Sequence, residues 1–218
     1  MAILETKNLC YSADGREIIK DINWSVDAGE IVTITGPSGS GKTTFVRLLA
    51  DLLTPTSGEV IFEGKNVADL DPIEYRRKVS YAVQQPTLFG NTVKDNLEFP
   101  YQIRNKPFNK DHALKALQTV DLGDGDLDRT VDNLSGGERQ RVALIRNIMF
   151  VPEVLILDEV TTGLDEKTKA SVHKMINYIN QRDHTTIIMI THDQDEIDHA
   201  TELVTIVDGR LVKGDKDA

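Results

Sequence analysis

The stretch "GPSGSGKT", Gly36 to Thr43, limits what this chain can fold into more than any other. It follows the apolar run "GEIVTIT" and precedes "TTFVRLLADLL", whose spacing predicts a helix. A chain passing from strand to helix through glycines at 36, 39 and 41 can curl its backbone inward. Its N–H groups then converge on one centre, and the helix N-terminus adds partial positive charge there. Lys42 reaches the same centre with an ammonium, and Thr43 supplies a hydroxyl suited to a hard cation. The pattern predicts a cradle for the phosphates of a nucleoside triphosphate, formed by Gly36, Pro37, Ser38, Gly39, Ser40, Gly41, Lys42, Thr43 and Thr44. The bland alternative is a flexible Gly/Ser turn, and the flanking strand and helix argue against it.

The rest of the chain reads as alternating strands and helices. Residues 3–35 form short apolar–polar runs broken by "SADGRE" and "DAGE", which predicts small strands and turns. "TPTSG" stops the first helix and "EVIFEG" resumes as a strand. From about Gln85 to Phe150 the strand signal fades. Within that span "HALKALQTV" places Ala113, Leu114, Leu117 and Val120 on one helical face. "EVLILDE", the amphipathic "SVHKMINYI" and "TTIIMITH" restore the alternation, and "LVTIVDGRLV" reads as a hairpin turning at Asp208-Gly209. Such a series predicts an α/β fold with a mostly parallel sheet. The 218 residues are read as a single domain, with 1–85 and 151–218 making one part and about 86–150 a helical part.

Carboxylates stand where phosphate chemistry needs them. "VLILDE" is a buried strand ending in Asp158 and Glu159. Magnesium takes oxygen ligands, typically one or two carboxylates plus substrate phosphate. Asp158 is expected to serve the metal, through a water, and Glu159, one residue further out, to orient an attacking water. Two solvated acids capping a strand would be the plain alternative. "MITHD" ends another strand in His192, at the edge where α/β sheets place ligands, so a contact with the γ-phosphate is expected. Gln84 in "YAVQQP" also follows a strand and is a candidate ligand of the metal or the water.

"LSGGERQRVALIRN" holds a second glycine puzzle. Val142, Ile145 and Met149, extended by Leu144 and Ile148, mark a buried helix, yet it opens on Ser135, Gly136 and Gly137. Ser135 can be a simple N-cap. Alternatively, bare amides at a helix N-terminus make a second phosphate grip. One nucleotide does not need two such grips from one chain, whereas two chains set head to tail would use both.

Composition narrows the setting. A net charge of −10 disfavours general nucleic-acid binding, which would need a basic face. The single Cys10 excludes an internal disulfide and fits a reducing compartment. "MAILETKNLC" lacks the basic and apolar regions of a secretory signal. No apolar run approaches the ~20 residues needed to cross a bilayer, so any work at a membrane is expected from outside the lipid.

The ordered set "GPSGSGKT", "QQPTLF", "LSGGERQR", "VLILDE", "TTGLD" and "ITHD" resembles the nucleotide-binding subunit of an ABC transporter across essentially the whole chain. The resemblance implies a P-loop, RecA-like core with an N-terminal antiparallel β subdomain and a helical subdomain. It implies ATP and Mg²⁺ as cofactors, with Lys42, Glu159, His192 and Gln84 catalytic and Thr43, Gln84 and Asp158 at the metal. It places Ser135, Gly136, Gly137 and Glu138 against the ATP of a second copy, and Asp165 in a loop that communicates across that homodimer. Tyr11 matches the aromatic that stacks on adenine, with a core or surface tyrosine as its rival. The implied partner is a separate transmembrane permease at the cytoplasmic face of the membrane, with no nucleic acid. Leu88, Phe89, Phe99 and Tyr101 are expected partly to face that permease, or else to pack the helical part.

Two departures from the commonest pattern are "LIRN", which keeps only Arg146 of an Ala-Arg-Ala run, and Val160 where proline is frequent after the catalytic glutamate. With "PTLFGNTVKDNLEFPYQIRN" and "THDQDEIDHA" they resemble the ATP-binding subunits of bacterial iron-efflux exporters. A soluble ABC-type ATPase acting on DNA or ribosomes is the rival reading. It fits less well, because the chain has one cassette, an acidic balance and no long heptad insert.

Overall fold

The computed structural model describes residues 2–84 and 87–212. Its elements begin β1 (Ala2–Ala13), β2 (Arg16–Asp27), β3 (Ile31–Thr35), α1 (Lys42–Leu49), β4 (Ser57–Phe62) and β5 (Lys65–Asn66). They continue α2 (Pro72–Lys78), β6 (Val79–Ala82), α3 (Val93–Gln102), α4 (Lys110–Gln118) and α5 (Gly136–Ile148). The last are β7 (Val154–Asp158), α6 (Glu166–Asp183), β8 (Thr186–Ile190), α7 (Gln194–Asp198), β9 (Glu202–Val207) and β10 (Arg210–Val212).

Two sheets account for the strands. An antiparallel sheet runs β2-β1-β4-β5, and a larger one runs β10-β9-β3-β8-β7-β6. In the larger sheet β9, β3, β8 and β7 are parallel, and β10 closes the edge antiparallel. Every residue of β7 and β8 is buried, as strands covered on both faces must be. The mostly parallel α/β core with an antiparallel companion sheet is therefore as the sequence predicts.

The chain divides into two compact units. The first comprises Met1–Tyr81, Pro152–Glu159 and His184–Ala218. In its core Phe45, Val46, Leu48 and Leu49 of α1 pack with Leu4, Ile19 and Ile22 of one sheet and Val32, Ile34, Ile156 and Ile188 of the other. Trp24 meets the Phe45 ring edge-on at 5.7 Å. The helix that follows the glycine loop is thus held from both sides by buried apolar side chains, each worth roughly 1.5–3 kcal/mol.

The second unit, Ala82–Val151 and Val160–Asp183, is helical. Leu97, Ala113, Leu117, Val142, Ile145 and Val172 are fully buried in it. Asn96 is also fully buried, and its amide nitrogen donates to the carbonyls of Phe89 and Thr92 at 2.8 and 3.0 Å. Its oxygen accepts from Phe89 N–H at 3.1 Å and from Arg146 at 3.0 Å, so Arg146 is tied to the segment that precedes α3. Residues 160–183 group with this unit, whereas the sequence division leaves them with the other part. The division point read at 85 and 86 lies outside the described residues.

Two local expectations change, and for Tyr101 the packing alternative holds. α1 ends at Leu49 rather than running on through "ADLL", because Asp51 turns into the left-handed region at φ 55°. Residues 2–27 form two strands of 12 residues each rather than several small ones. Tyr101 is buried, packed edge-on against Phe108 and Phe150 with ring centroids 5.5 and 4.9 Å away. The neighbouring Phe89 and Phe99 are each 39% exposed and pair at 4.9 Å.

Candidate functional site

β3 delivers the chain to Gly36, where φ is 139° and a Cβ would lie 2.0 Å from the Ile206 carbonyl oxygen. No other residue fits that approach. Gly39 and Gly41 also hold positive φ, and α1 starts immediately at Lys42. The Asp208-Gly209 turn of the β9–β10 hairpin braces the loop, with Gly209 N–H donating to Ser40 O at 3.0 Å. Both turn residues have positive φ, as a two-residue hairpin requires.

A recess of about 980 Å³ opens over this loop. Ser38, Gly39, Ser40, Gly41, Lys42, Thr43 and Thr44 line it together with Glu159 and His192. The end of β1 and the start of β2 also line it, through Ala13, Arg16, Ile18 and Lys20. Tyr11 does not border the recess; it packs, half-buried, against the core.

Lys42 is buried, and its Nζ donates to the carbonyls of Gly36 and Pro37 at 2.8 and 2.9 Å. Burial holds its pKa below the ordinary lysine value, partly offset by the negative charges of Glu159 and Asp158. Thr43 Oγ1 donates to Asp158 Oδ1 at 3.3 Å, and the Tyr81 hydroxyl donates to Asp158 Oδ2 at 2.6 Å. Burial first, then the bond to Asp158, pushes the Tyr81 phenol up to about 12, so it stays a neutral donor. Tyr81 is the residue that sequence reading missed here. Its signal was a polar-tipped aromatic in "YAVQQP", three residues before Gln84.

Glu159 follows β7 with φ 52°, a costly conformation for a residue with a side chain, and its N–H donates to Ile190 O at 3.1 Å. That kink swings the carboxylate off the strand line. Its Oε1 lies 3.1 Å from His192 Nε2. The first unit thus brings Lys42, Thr43, Glu159 and His192 around one recess, with Asp158 hydrogen-bonded to Thr43.

The remaining predicted residues belong to the second unit. Gln84 is exposed just past β6. Ser135 caps α5: its hydroxyl accepts from Glu138 N–H at 3.3 Å while its own N–H donates to Glu138 Oε2 at 2.7 Å. Arg129 forks onto both Glu138 oxygens at 2.8 and 3.2 Å, another residue the sequence did not mark. Arg129 first, and the Ser135 N–H second, hold Glu138 down to about 2. Asp165 accepts from Thr168 N–H at 3.0 Å and from its hydroxyl at 2.7 Å, which lowers the Asp165 pKa. Arg141 of α5 donates to the same hydroxyl at 3.0 Å, joining the Ser135 helix to Asp165.

Gly136 and Gly137 open α5 without positive φ. A Cβ on Gly136 would meet nothing within 4 Å, and one on Gly137 would find only ordinary contacts with Leu164 at 3.7 Å and Thr168 at 3.8 Å. Among the described residues nothing in the fold demands either glycine.

Known proteins are similar to this chain in sequence and fold. The family model described as ABC transporter matches residues 19–162. The probable iron export ATP-binding protein FetA of Escherichia coli (strain K12) is 46% identical over 204 residues, which are 94% of this chain and 91% of that one. The spermidine/putrescine import ATP-binding protein PotA of Clostridium novyi (strain NT) is 36% identical over 209 residues, 94% of this chain but 59% of its own length. The dimeric post-hydrolysis structure of the ATP-binding cassette MJ0796 bound to ADP and Pi matches with a TM-score of 0.86 at 28% identity, covering 96% of this chain and 97% of that one. A bacterial Atm1-family ABC exporter with ATP bound gives 0.88 at 27% identity, covering 96% of this chain and 38% of that one. With the phosphate loop, Asp158, Glu159 and the Ser135-Gly136-Gly137 helix all present, this chain belongs to the ABC transporter family as an ATP-binding, ATP-hydrolysing subunit.

Proposed function

We propose that two copies of this chain, set head to tail, enclose MgATP between them and drive metal export, of iron, through a separate membrane permease. The observation that carries the paired arrangement is the pair of glycines at 136 and 137, which the chain's own packing leaves unexplained. A phosphate presented by a second copy explains them, because bare amides at a helix N-terminus bind anions best when no Cβ intervenes. In this arrangement Lys42 and the loop amides hold the β- and γ-phosphates, and Ser135, Gly136 and Gly137 of the other copy close over the γ-phosphate. Glu159, seated beside His192, takes the proton of the attacking water, and catalysis is mostly positioning and electrostatics. Gln84 contributes to the metal or the water, and Asp165 to communication between copies. Tyr11, half-buried against the core, is the candidate for stacking on adenine.

The donor set fits Mg²⁺. Thr43 Oγ1 and Asp158 Oδ1 are hard oxygens 3.3 Å apart beside the phosphate loop. Among the described residues no group of three or more His, Cys, Asp or Glu side chains forms a metal cage. Mg²⁺ usually binds through one or two protein oxygens plus substrate phosphate. When bound, Mg²⁺ neutralises phosphate charge; Thr43 and Asp158 are the residues that would hold it.

Cleavage of ATP removes the ligand that bridges the copies, and they reopen. No helix among the described residues is long and apolar enough to cross a membrane. Membership of the ABC transporter family supports a place at the cytoplasmic face, docked on a permease, with Phe89 and Phe99 on the exposed part of the helical unit as candidate contacts. The similarity to FetA over 91% of that protein's length favours iron as cargo over the cargoes of importers matched over little more than half their length. Vesicles carrying the subunit with its permease, ATP outside, should accumulate iron only when ATP is hydrolysed. ATP-driven release of preloaded choline or spermidine, with no accumulation of iron, would overturn the assignment.

A further inference from the structure

Asp158 is held from two sides, and only one of them is the phosphate loop. On the other, Tyr81 at the end of β6 donates to Asp158 Oδ2 at 2.6 Å across neighbouring strands. The direction of that bond is fixed by a third residue. Arg47, in the last turn of α1, places Nε 3.4 Å from the Tyr81 oxygen. A guanidinium can only donate, so the phenol oxygen accepts from Arg47 and its single proton goes to Asp158. Asp158 is 4% exposed, so no bulk water competes for Oδ2. With that oxygen committed to Tyr81, Oδ1 is left facing Thr43 and the loop.

We propose that Tyr81 is a positioning residue for the metal site: it fixes the Asp158 carboxylate in the orientation from which Asp158 and Thr43 hold Mg²⁺. The proposal rests on the reading of Thr43 and Asp158 as the Mg²⁺ residues, and it assigns Tyr81 no contact with nucleotide. Outer-shell hydrogen bonds of this kind typically change metal affinity 10–100-fold when removed. A phenylalanine at position 81 keeps the half-buried ring and deletes only the donor.

The test is binding of a fluorescent ATP analogue, titrated with Mg²⁺ and repeated in EDTA, for wild type, Tyr81→Phe and Asp158→Asn, with Tm measured for each. For Tyr81→Phe the Mg²⁺ concentration at half-effect should rise about 10-fold, while nucleotide affinity in EDTA and Tm stay at wild-type values. A purely structural tyrosine would instead shift Tm or the EDTA affinity and leave the Mg²⁺ midpoint alone. If Asp158→Asn moves the Mg²⁺ midpoint and Tyr81→Phe does not, the role of Tyr81 is overturned and the metal reading stands. If neither moves it, the metal reading itself fails, and the proposal with it.

Discussion

Gly136 and Gly137 sit in a first helical turn that is already well capped by Ser135 and Glu138, so their lack of side chains does nothing for the helix. Glycine in a helix gives up as much as about 1 kcal/mol to alanine. Gly36 is the opposite case, since a Cβ there would collide with Ile206. The contrast makes a sharp expectation. Gly136→Ala combined with Gly137→Ala should hold or raise Tm, by about 2–4 °C per kcal/mol in a domain of this size. Nucleotide binding by the separate chain should survive, while ATP-driven pairing and turnover should fall by at least about 100-fold, the scale of losing one transition-state donor. Calorimetry, nucleotide titration and a phosphate-release assay read these three quantities. Undiminished turnover in the double variant would mean that the amides at 136 and 137 never approach a phosphate.

The α5 N-terminus also has a chemistry of its own that pH can reveal. Glu138 is held near 2 by Arg129 and the Ser135 N–H, against an ordinary glutamate value of 4.5. A carboxyl lowered on folding adds stability that is whole above its unfolded pKa and is lost as pH falls toward the folded one. The contribution should therefore persist from neutral pH to about 4.5 and fade between there and about 2. Wild type should melt about 2–4 °C above Glu138→Gln at pH 7, as expected for up to about 1 kcal/mol from losing the charged pair with Arg129. That gap should narrow at pH 3, and a gap of constant size would remove the ionised carboxylate from the cap. Ser135 and Glu138 are three apart, the spacing of a capping box, although the sequence reading marks only Ser135 as a cap. Arg129 was not legible, because its partner lies nine residues away across a loop. The strands of the first sheet were partly hidden for a related reason. Register shifts at Thr6/Leu9, Leu9/Tyr11 and Tyr11/Ser12 break the two-residue alternation, so two long strands read as several short ones. α1 was overextended because Leu52 and Leu53 continue the apolar spacing after the helix has ended.

At the scale of the molecule, the chemistry falls into two sets that each fold within one unit. Lys42, Thr43, Asp158, Glu159 and His192 belong to the first, and Ser135, Gly136, Gly137 and Asp165 to the second. The motifs were visible because each is a contiguous string placed at a strand or helix end. Tyr81 and the Arg141–Thr168–Asp165 link were not, since they depend on contacts 77 and 27 residues apart along the chain. The placement of 160–183 with the helical unit was hidden likewise, because strand–helix–strand alternation says nothing about which layer a helix joins. The proposed head-to-tail pairing makes the complete site a property of two chains, and concentration then becomes the decisive variable. Specific ATPase activity should fall on dilution, approaching proportionality to protein concentration once separate chains predominate. Glu159→Gln should bind ATP, lose turnover by about 100-fold or more, as expected for removal of a general base, and elute as a dimer in gel filtration with ATP. The same variant without nucleotide should elute as one chain, because ATP is the bridge. Wild-type activity per molecule that stays constant at every dilution, with no ATP-dependent dimer in the glutamine variant, would show that one chain suffices and that the Ser135 helix serves some other ligand.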